Sequence, residues 1–253
     1  MAAAAVIAFL GGTVAGSFIS VVAHRVPRGL PIAGPRSECP SCGARIAARD
    51  NIPIVSWLLL RGRCRACGTP IPATYPAVEI GLGAAFLATV LVLWDDPTQL
   101  ALGLVFVSTL AAITLTDLER RIIPNRILLP SAIAGVAIAA IGDPASLGER
   151  AVAAAAAGGL LLAAALAYPR GMGMGDVKLA ALMGIYLGDS VAPALLVGFL
   201  SGALVGLALI LKEGAMGRKR AIPFGPFLAL GGFVGLLAGG EMIDWYLSTF
   251  LNR

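Results

Sequence analysis

Gly171-Met172-Gly173-Met174-Gly175-Asp176-Val177-Lys178 is the stretch that decides how the rest of this chain is read. Three glycines alternate with two methionines, and an aspartate stands at the mouth of an apolar run. Glycine permits backbone conformations that other residues avoid and lets another chain come close. A carboxyl beside hydrocarbon is costly, which makes it a functional candidate. Asp is also a good residue at a helix start. Asp176 therefore either caps the helix that follows or serves chemistry, and the stretch by itself favours neither.

Outward from that stretch, the chain is mostly hydrocarbon. Of 253 residues 58% are hydrophobic and 13% are charged, against about 45–50% and about 25% in a soluble domain. The expected fold class is an all-α integral membrane protein with about eight transmembrane helices and a small cytoplasmic zinc-binding loop domain. Spans are expected at residues 2–23, 77–94, 100–116, 127–141, 151–168, 177–187, 191–211 and 224–240. The segment 177–187 is short for a crossing unless the glycine stretch or the next turn lies inside the membrane. The tail 241–253 carries Trp245, Tyr246 and Phe250 and reads as an interfacial helix. The first span ends in Ser20-Val21-Val22-Ala23-His24-Arg25, not in a small-residue cleavage site, so a retained span is expected. Three parts follow: residues 1–24, a first span; 25–76, a cysteine module; and 77–253, a polytopic core.

The net charge of +5 sits in a few loops, which speaks for topology and against nucleic acid as a partner. Residues 25–74 hold eight arginines against Glu38 and Asp50. The links at 120–126, 170–178 and 212–220 are also basic, whereas Asp95-Asp96 and Gly142-Asp143 are not. Eight crossings place every basic loop on one face, the cytoplasmic one. Asp117, at the end of a span, then shares that face with Asp176.

All four cysteines lie in the polar segment, as Cys39-x-x-Cys42 and Cys64-x-x-Cys67 with 21 residues between the pairs. Each pair can grip one side of a tetrahedral ion, so structural Zn²⁺ on Cys39, Cys42, Cys64 and Cys67 is expected. Four thiolates leave no position for water, so such an ion folds the loop and does no chemistry. Redox CxxC pairs or free thiols are the alternative. The arginines of this loop suit anionic lipid headgroups or are simply topogenic. Asp50-Asn51-Ile52-Pro53 and Ser56-Trp57-Leu58 are expected to bring an aromatic to the membrane surface.

Near span ends on the cytoplasmic face stand Glu79, Asp117, Glu119 and Asp176. Two carboxyls brought together in a low-dielectric site do not both ionise easily, so one serves as acid while the other activates water. Lys178 and Glu79 are auxiliary candidates, Lys178 as a tuning or snorkelling cation. The lone His24 with Ser17 lacks an orienting group and is a weak nucleophile pair. No HExxH and no P-loop is present, which disfavours a zinc protease and ATP-driven work. Competing classes are a proton- or cation-coupled transporter and a non-catalytic assembly platform.

With these residues in hand, the chain resembles the bacterial prepilin peptidases, also called type IV leader peptidases, which are GxGD-type membrane aspartic proteases. The resemblance runs over nearly the whole chain. It rests on Gly16-Ser17-Phe18, Arg25-Val26-Pro27, Cys39-Pro40-x-Cys42, Asp50-Asn51-Ile52-Pro53, Ser56-Trp57-Leu58, Cys64-Arg65-x-Cys67 and Tyr75-Pro76-x-x-Glu79. It continues through Asp117, Ile123-Pro124-Asn125, Gly173-Met174-Gly175-Asp176-x-Lys178-Leu179 and Ile222-Pro223-Phe224-Gly225-Pro226.

The resemblance implies cleavage of the basic leader from type IV prepilins and type II secretion pseudopilins at the cytoplasmic face of the inner membrane. It implies Asp117 and Asp176 as the catalytic pair, with Gly173 and Gly175 in the substrate's approach. Many bacterial members also N-methylate the new amino terminus with S-adenosylmethionine; those members carry the cysteine loop, and this chain has it complete. Prepilin and pseudopilin precursors, membrane lipids and the pilus or secretion assembly machinery are the implied partners. The chain departs from the family's usual pattern at Ser20, where Asn is common, and at Asn125, where Asp often follows Ile-Pro.

Overall fold

A computed structural model describes residues 1–34, 37–169, 171–214 and 222–251. Arg36, Arg170 and most of the expected basic loop at 212–220 lie outside the described residues. The chain divides into two compact units, Met1–Val92 and Leu93–Arg253. Among the described residues the regular structure is helical, with two isolated β-bridges in the cysteine module. Seven helical stretches are long and apolar enough to cross a membrane. One of them, Met174–Glu213, holds two of the helices described below. Eight helices therefore stand where eight spans are expected, the sixth of them short.

In the first unit α1 (Ala2–Arg25) and α3 (Thr74–Leu93) pack directly together. A Cβ on Gly12 would meet Leu82 O at 2.6 Å, and one on Gly16 would meet the Glu79 Cα at 2.8 Å. Small residues at this seam let two backbones approach, as membrane helices without a hydrophobic driving force require. Between them lie the cysteine module and the short α2 (Val55–Leu59).

The second unit contains α4 (Pro97–Arg120), α5 (Asn125–Gly142), α6 (Leu147–Ala167), α7 (Met174–Leu187), α8 (Val191–Glu213) and α9 (Gly225–Phe250). Asp96 starts α4 by accepting from the amides of Thr98 and Gln99, each at 2.9 Å, the usual device for orphan N–H groups. The helix then runs on through Asp117 to Arg120, so the first part of the expected charged exit is helical. It stops at Arg121, whose left-handed backbone (φ 55°) returns its N–H to Asp117 O at 2.8 Å.

The short α7 of 14 residues spans about 21 Å at 1.5 Å per residue, less than a hydrocarbon core of about 30 Å. Antiparallel neighbours accommodate it. Arg150 and Glu149, on the first turn of α6, meet the far end of α7. Ser190, at the start of α8, packs on Gly239 of α9. The turn Gly188–Ser190 therefore lies at the far end of the bundle from Asp176, and α6, α7 and α8 alternate in direction. The ends of α4, α6 and α8 and the starts of α5, α7 and α9 consequently share one end of this unit.

The carbonyls at the end of a helix need partners, and within a membrane water does not supply them. The buried Arg150 supplies them here, donating to Ile185 O at 3.0 Å and Tyr186 O at 2.9 Å, with its Nε on Ser146 Oγ. A second buried polar link joins three helices. Tyr186 Oη donates to Ser131 O at 2.7 Å, and the hydroxyls of Thr109 and Ser131 lie 2.8 Å apart. The Tyr186 ring stacks on Phe106 at 4.9 Å. This clasp fixes α7 on α4 and α5. Tyr186→Phe keeps the ring and loses the hydroxyl, so thermal unfolding in detergent should show a loss of about 1 kcal/mol.

One expectation changes. The tail from residue 241 is not a separate interfacial helix, because α9 continues unbroken to Phe250. No proline interrupts it there. Trp57 is half-buried, its Nε1 donates to Ile71 O at 3.1 Å and its ring covers Gly62.

Candidate active site and metal centre

Asp117 lies one turn from the end of α4 and is only 6% exposed. Its Oδ2 accepts the Gly225 amide at 2.8 Å, across 108 residues of sequence. That amide belongs to the first residue of α9, where N–H groups have no helical partner. A helix start is also electrostatically suited to a carboxylate. Position 225 has no room for a side chain, since a Cβ would stand 2.7 Å from Asp117 Oδ2. The Arg121 guanidinium is within electrostatic reach of Asp117.

Asp176 is the third residue of α7 and half-buried. Its Oδ2 accepts the Gly173 amide at 3.2 Å while its own N–H donates to Gly173 O at 3.1 Å. Capping and chemistry are thus compatible, because the cap fixes one oxygen and leaves the other. The Asp117 charge reaches Asp176. The link between α4 and α5 brings the two helix ends together. Ile123 packs on Gly175, where a Cβ would be 3.0 Å from the Ile123 Cβ. Lys178 Nζ donates to Asn125 Oδ1 at 3.1 Å, tying α7 to the start of α5. Gly173 and Met174 are exposed beside the pair, whereas Gly175 belongs to the helix and is half-buried.

Glu79 belongs to the first unit, and its place is described there. It is buried, and its Oε2 accepts the Ile54 amide at 2.7 Å. Ile54 has φ 63° and ψ −54°, a rare conformation for a β-branched residue. Val55 N–H reaches back to Pro53 O at 2.6 Å, which makes a γ-turn of the strained hand. The carboxylate of Glu79 holds that turn.

The cysteines form two knuckles of one design. Gly43 N–H donates to Cys39 O and Gly68 N–H to Cys64 O, both at 2.9 Å. Cys39 N–H reaches Ala44 O at 2.9 Å and Cys64 N–H reaches Thr69 O at 2.8 Å. Gly43 (φ 69°) and Gly68 (φ 71°) take the left-handed turn each knuckle needs. A tetrahedral ion about 2.3 Å from each sulfur sets sulfurs about 3.8 Å apart. Cys39 Sγ and Cys67 Sγ, from different knuckles, stand 3.8 Å apart. All four sulfurs lie within 4.8 Å of one another, and none forms a disulfide. The donor set fits Zn²⁺. The side chain and amide of Thr69 pull the Cys67 thiol down to about 6, whereas the Cys67 and Cys39 side chains push the Cys42 thiol up to about 11. Arg65 clamps Asp50 with two hydrogen bonds, at 2.9 and 2.6 Å, holding its carboxyl below the usual range and the segment after the first knuckle against the second.

Sequence reasoning singled out both aspartates, all four cysteines, Glu79 and Lys178. It assigned no role to Gly225, to Arg121, or to the amide of Ile54. The Ile-Pro-Phe-Gly-Pro match marked the position of Gly225, but a backbone N–H leaves no trace in residue type.

The family model of the Bacterial Peptidase A24 N-terminal domain matches residues 10–93. That of the Type IV leader peptidase family matches residues 104–211. The boundary between them falls where the structure divides into its two units. A protein of Aeromonas hydrophila named prepilin leader peptidase/N-methyltransferase is 37% identical over 274 residues, which cover 96% of this chain and 93% of that protein. One of Bacillus subtilis with the same name is 35% identical over 248 residues, covering 97% and 99%. No solved structure matches. With both family models matched in order, and relatives of this identity aligned almost end to end, the chain belongs to the prepilin leader peptidase/N-methyltransferase family.

Proposed function

We propose that this protein is a membrane aspartic endopeptidase that removes the leader from type IV prepilins and type II secretion pseudopilins. It then methylates the new amino terminus. The observation that carries the peptidase reading is the pairing of Asp117 and Asp176 at the same end of antiparallel helices. Each has one oxygen held by a backbone amide, and Ile123, six residues after Asp117, packs on Gly175 beside Asp176. The basic links support the cytoplasmic side of the inner membrane for this end.

Asp117 and Asp176 share one proton. The ionised carboxylate takes a proton from water as the water oxygen attacks the scissile carbonyl carbon. The protonated carboxyl donates to the carbonyl oxygen. Collapse of the tetrahedral intermediate breaks the C–N bond, and the leaving nitrogen takes a proton from the pair. The Gly225 and Gly173 amides keep the carboxylates aimed. Exposed Gly173 lets the extended leader junction come near, while Gly175 permits the close seat of Ile123. Lys178 acts on the site through Asn125 by fixing α7 against α5. S-adenosylmethionine would supply the methyl group of the second step, leaving as S-adenosylhomocysteine while the freed amine gives up a proton.

We assign 25–76 as the folded zinc module between two spans and 77–253 as the polytopic part that carries peptidase chemistry. Cys39, Cys42, Cys64 and Cys67 hold Zn²⁺, whose contribution is structural. Glu79 is auxiliary, through the Ile54 turn. Pilus or secretion assembly machinery is the expected downstream partner.

Mass spectrometry of a prepilin co-expressed with this protein tests both activities. Loss of the leader together with a gain of about 14 Da, one CH₂, on the new terminus is expected. An uncut prepilin overturns the peptidase reading, and cleavage without the mass gain overturns the methyltransferase reading. Gly225→Ala gives a finer test of the geometry. Its Cβ would displace Asp117 Oδ2, and a displacement of about 1 Å costs about 10²-fold in rate. Cleavage assays should show that loss with zinc content unchanged.

A further inference from the structure

The segment 52–60 is not accounted for by the peptidase site or the zinc knuckles. It has a strained turn at Ile54, a buried carboxylate devoted to it, and an apolar face open to the surroundings. Leu58 is 62% exposed and Leu59 77%, with Ile52 and Val55 also exposed. A cluster of this kind on a short helix needs an occupant.

The depth of the segment indicates which. Glu79 Oε2 reaches Ile54 from α3, and helical side chains lean towards the helix start, here Thr74, so Ile54 lies beside the first turns of α3. Glu79 itself packs on α1 at Gly16. Arg25, the last residue of α1, is nine residues beyond Gly16, about 13 Å, which is further than a glutamate side chain extends. The turn at Ile54 is therefore recessed below the point at which the chain leaves α1. Non-helical backbone is tolerated at such depth only when its polar groups are satisfied within the protein. The amides of Ile52, Ile54, Val55, Ser56, Leu58 and Leu60 all have acceptors, Ser56 Oγ for Ile52 and Glu79 for Ile54. The Trp57 indole, which would suit headgroups, is instead turned inward onto Ile71 O. Arg49, Arg61 and Arg63 flank the segment and are exposed, which complements anionic lipid.

We propose that residues 52–60 form a membrane foot. In this arrangement α2 lays Val55, Leu58 and Leu59 into the acyl boundary of the leaflet from which α1 and α3 emerge. The flanking arginines take anionic phosphates of the same leaflet. The foot holds the zinc module down on the bilayer at a set depth, and Glu79 is the carboxylate that lets its backbone turn there. The proposal stands on the membrane reading of α1 and α3 and is independent of peptidase chemistry.

The test uses the full-length protein in phosphatidylethanolamine–phosphatidylglycerol vesicles, with the photo-crosslinker benzoylphenylalanine at position 59. The same probe at position 41, exposed on the first knuckle, is the control. After illumination, mass spectrometry reads the adducts. Lipid-linked peptide from position 59 should exceed that from position 41 by about tenfold or more, the contrast of an inserted against a solvated side chain. Equal lipid yields at the two positions overturn the proposal. So do crosslinks from position 59 to residues 93–253 or to added prepilin in place of lipid. A probe at position 58 repeats the measurement on the neighbouring side chain. Zinc content of each variant verifies that the module is folded.

Discussion

Asp117→Asn and Asp176→Asn should each stop leader removal, with losses of at least about 10³-fold in single-turnover cleavage of a prepilin. Asn keeps the size and an acceptor oxygen, so the Gly225 and Gly173 amides retain their partners. What disappears is the exchange of a proton between two carboxyls. Because the pair works as a unit, Asp117→Asn combined with Asp176→Asn should be little worse than either alone. The same variants should keep their zinc and their thermal midpoint, which separates lost chemistry from lost fold. Cleavage retained in either single variant would remove that aspartate from the mechanism. Losses that multiply in the double variant would show two independent sites.

The second large effect concerns the metal. In the described part of residues 37–73 the only buried side chains besides glycine are Cys39 and Ser56. A segment of this size cannot support itself on such a core. Below about 40 residues, metals or disulfides usually take the place of one, and the cysteines here form no disulfides. Structural zinc binding is worth about 10–16 kcal/mol at neutral pH, far more than the twin knuckles and the Asp50–Arg65 clamp supply. Cys39→Ser combined with Cys64→Ser, or a strong chelator, should abolish bound zinc. Trypsin should then cut rapidly at Arg45, Arg49, Arg61 and Arg63, all exposed, while the helical fragments stay in the membrane. A module that resists trypsin without metal would mean that something else folds it. Measurement of metal content and digestion on one sample decides the matter.

Several features can be read from residue order because their causes are local. Runs of hydrocarbon set α1, α3 to α8 and the start of α9 to within a few residues, since crossing a bilayer is a matter of length and composition. Cys-x-x-Cys followed by glycine describes a knuckle completely, as its hydrogen bonds span only four or five residues. An aspartate near the start or end of an apolar run places itself on a membrane face. The charge pattern favoured a full set of alternating helices despite the shortness of residues 177–187. In the structure α6, α7 and α8 alternate in direction.

Other features depended on partners far away in the chain. The amide that holds Asp117 comes from Gly225, and the carboxylate that holds Ile54 comes from Glu79. Arg150 ends α7 from the first turn of α6. The carbonyl that takes the Trp57 indole N–H lies fourteen residues on, at Ile71. The stretch from Gly171 to Lys178 shows the division most sharply. Its sequence determined that a carboxyl would stand at the mouth of a helix with a pliable approach. Only the tertiary structure decided that Asp117 would meet it there. Helix formation is settled within a few residues, whereas bringing two helix ends together depends on the packing of α4, α5, α7 and α9 against one another.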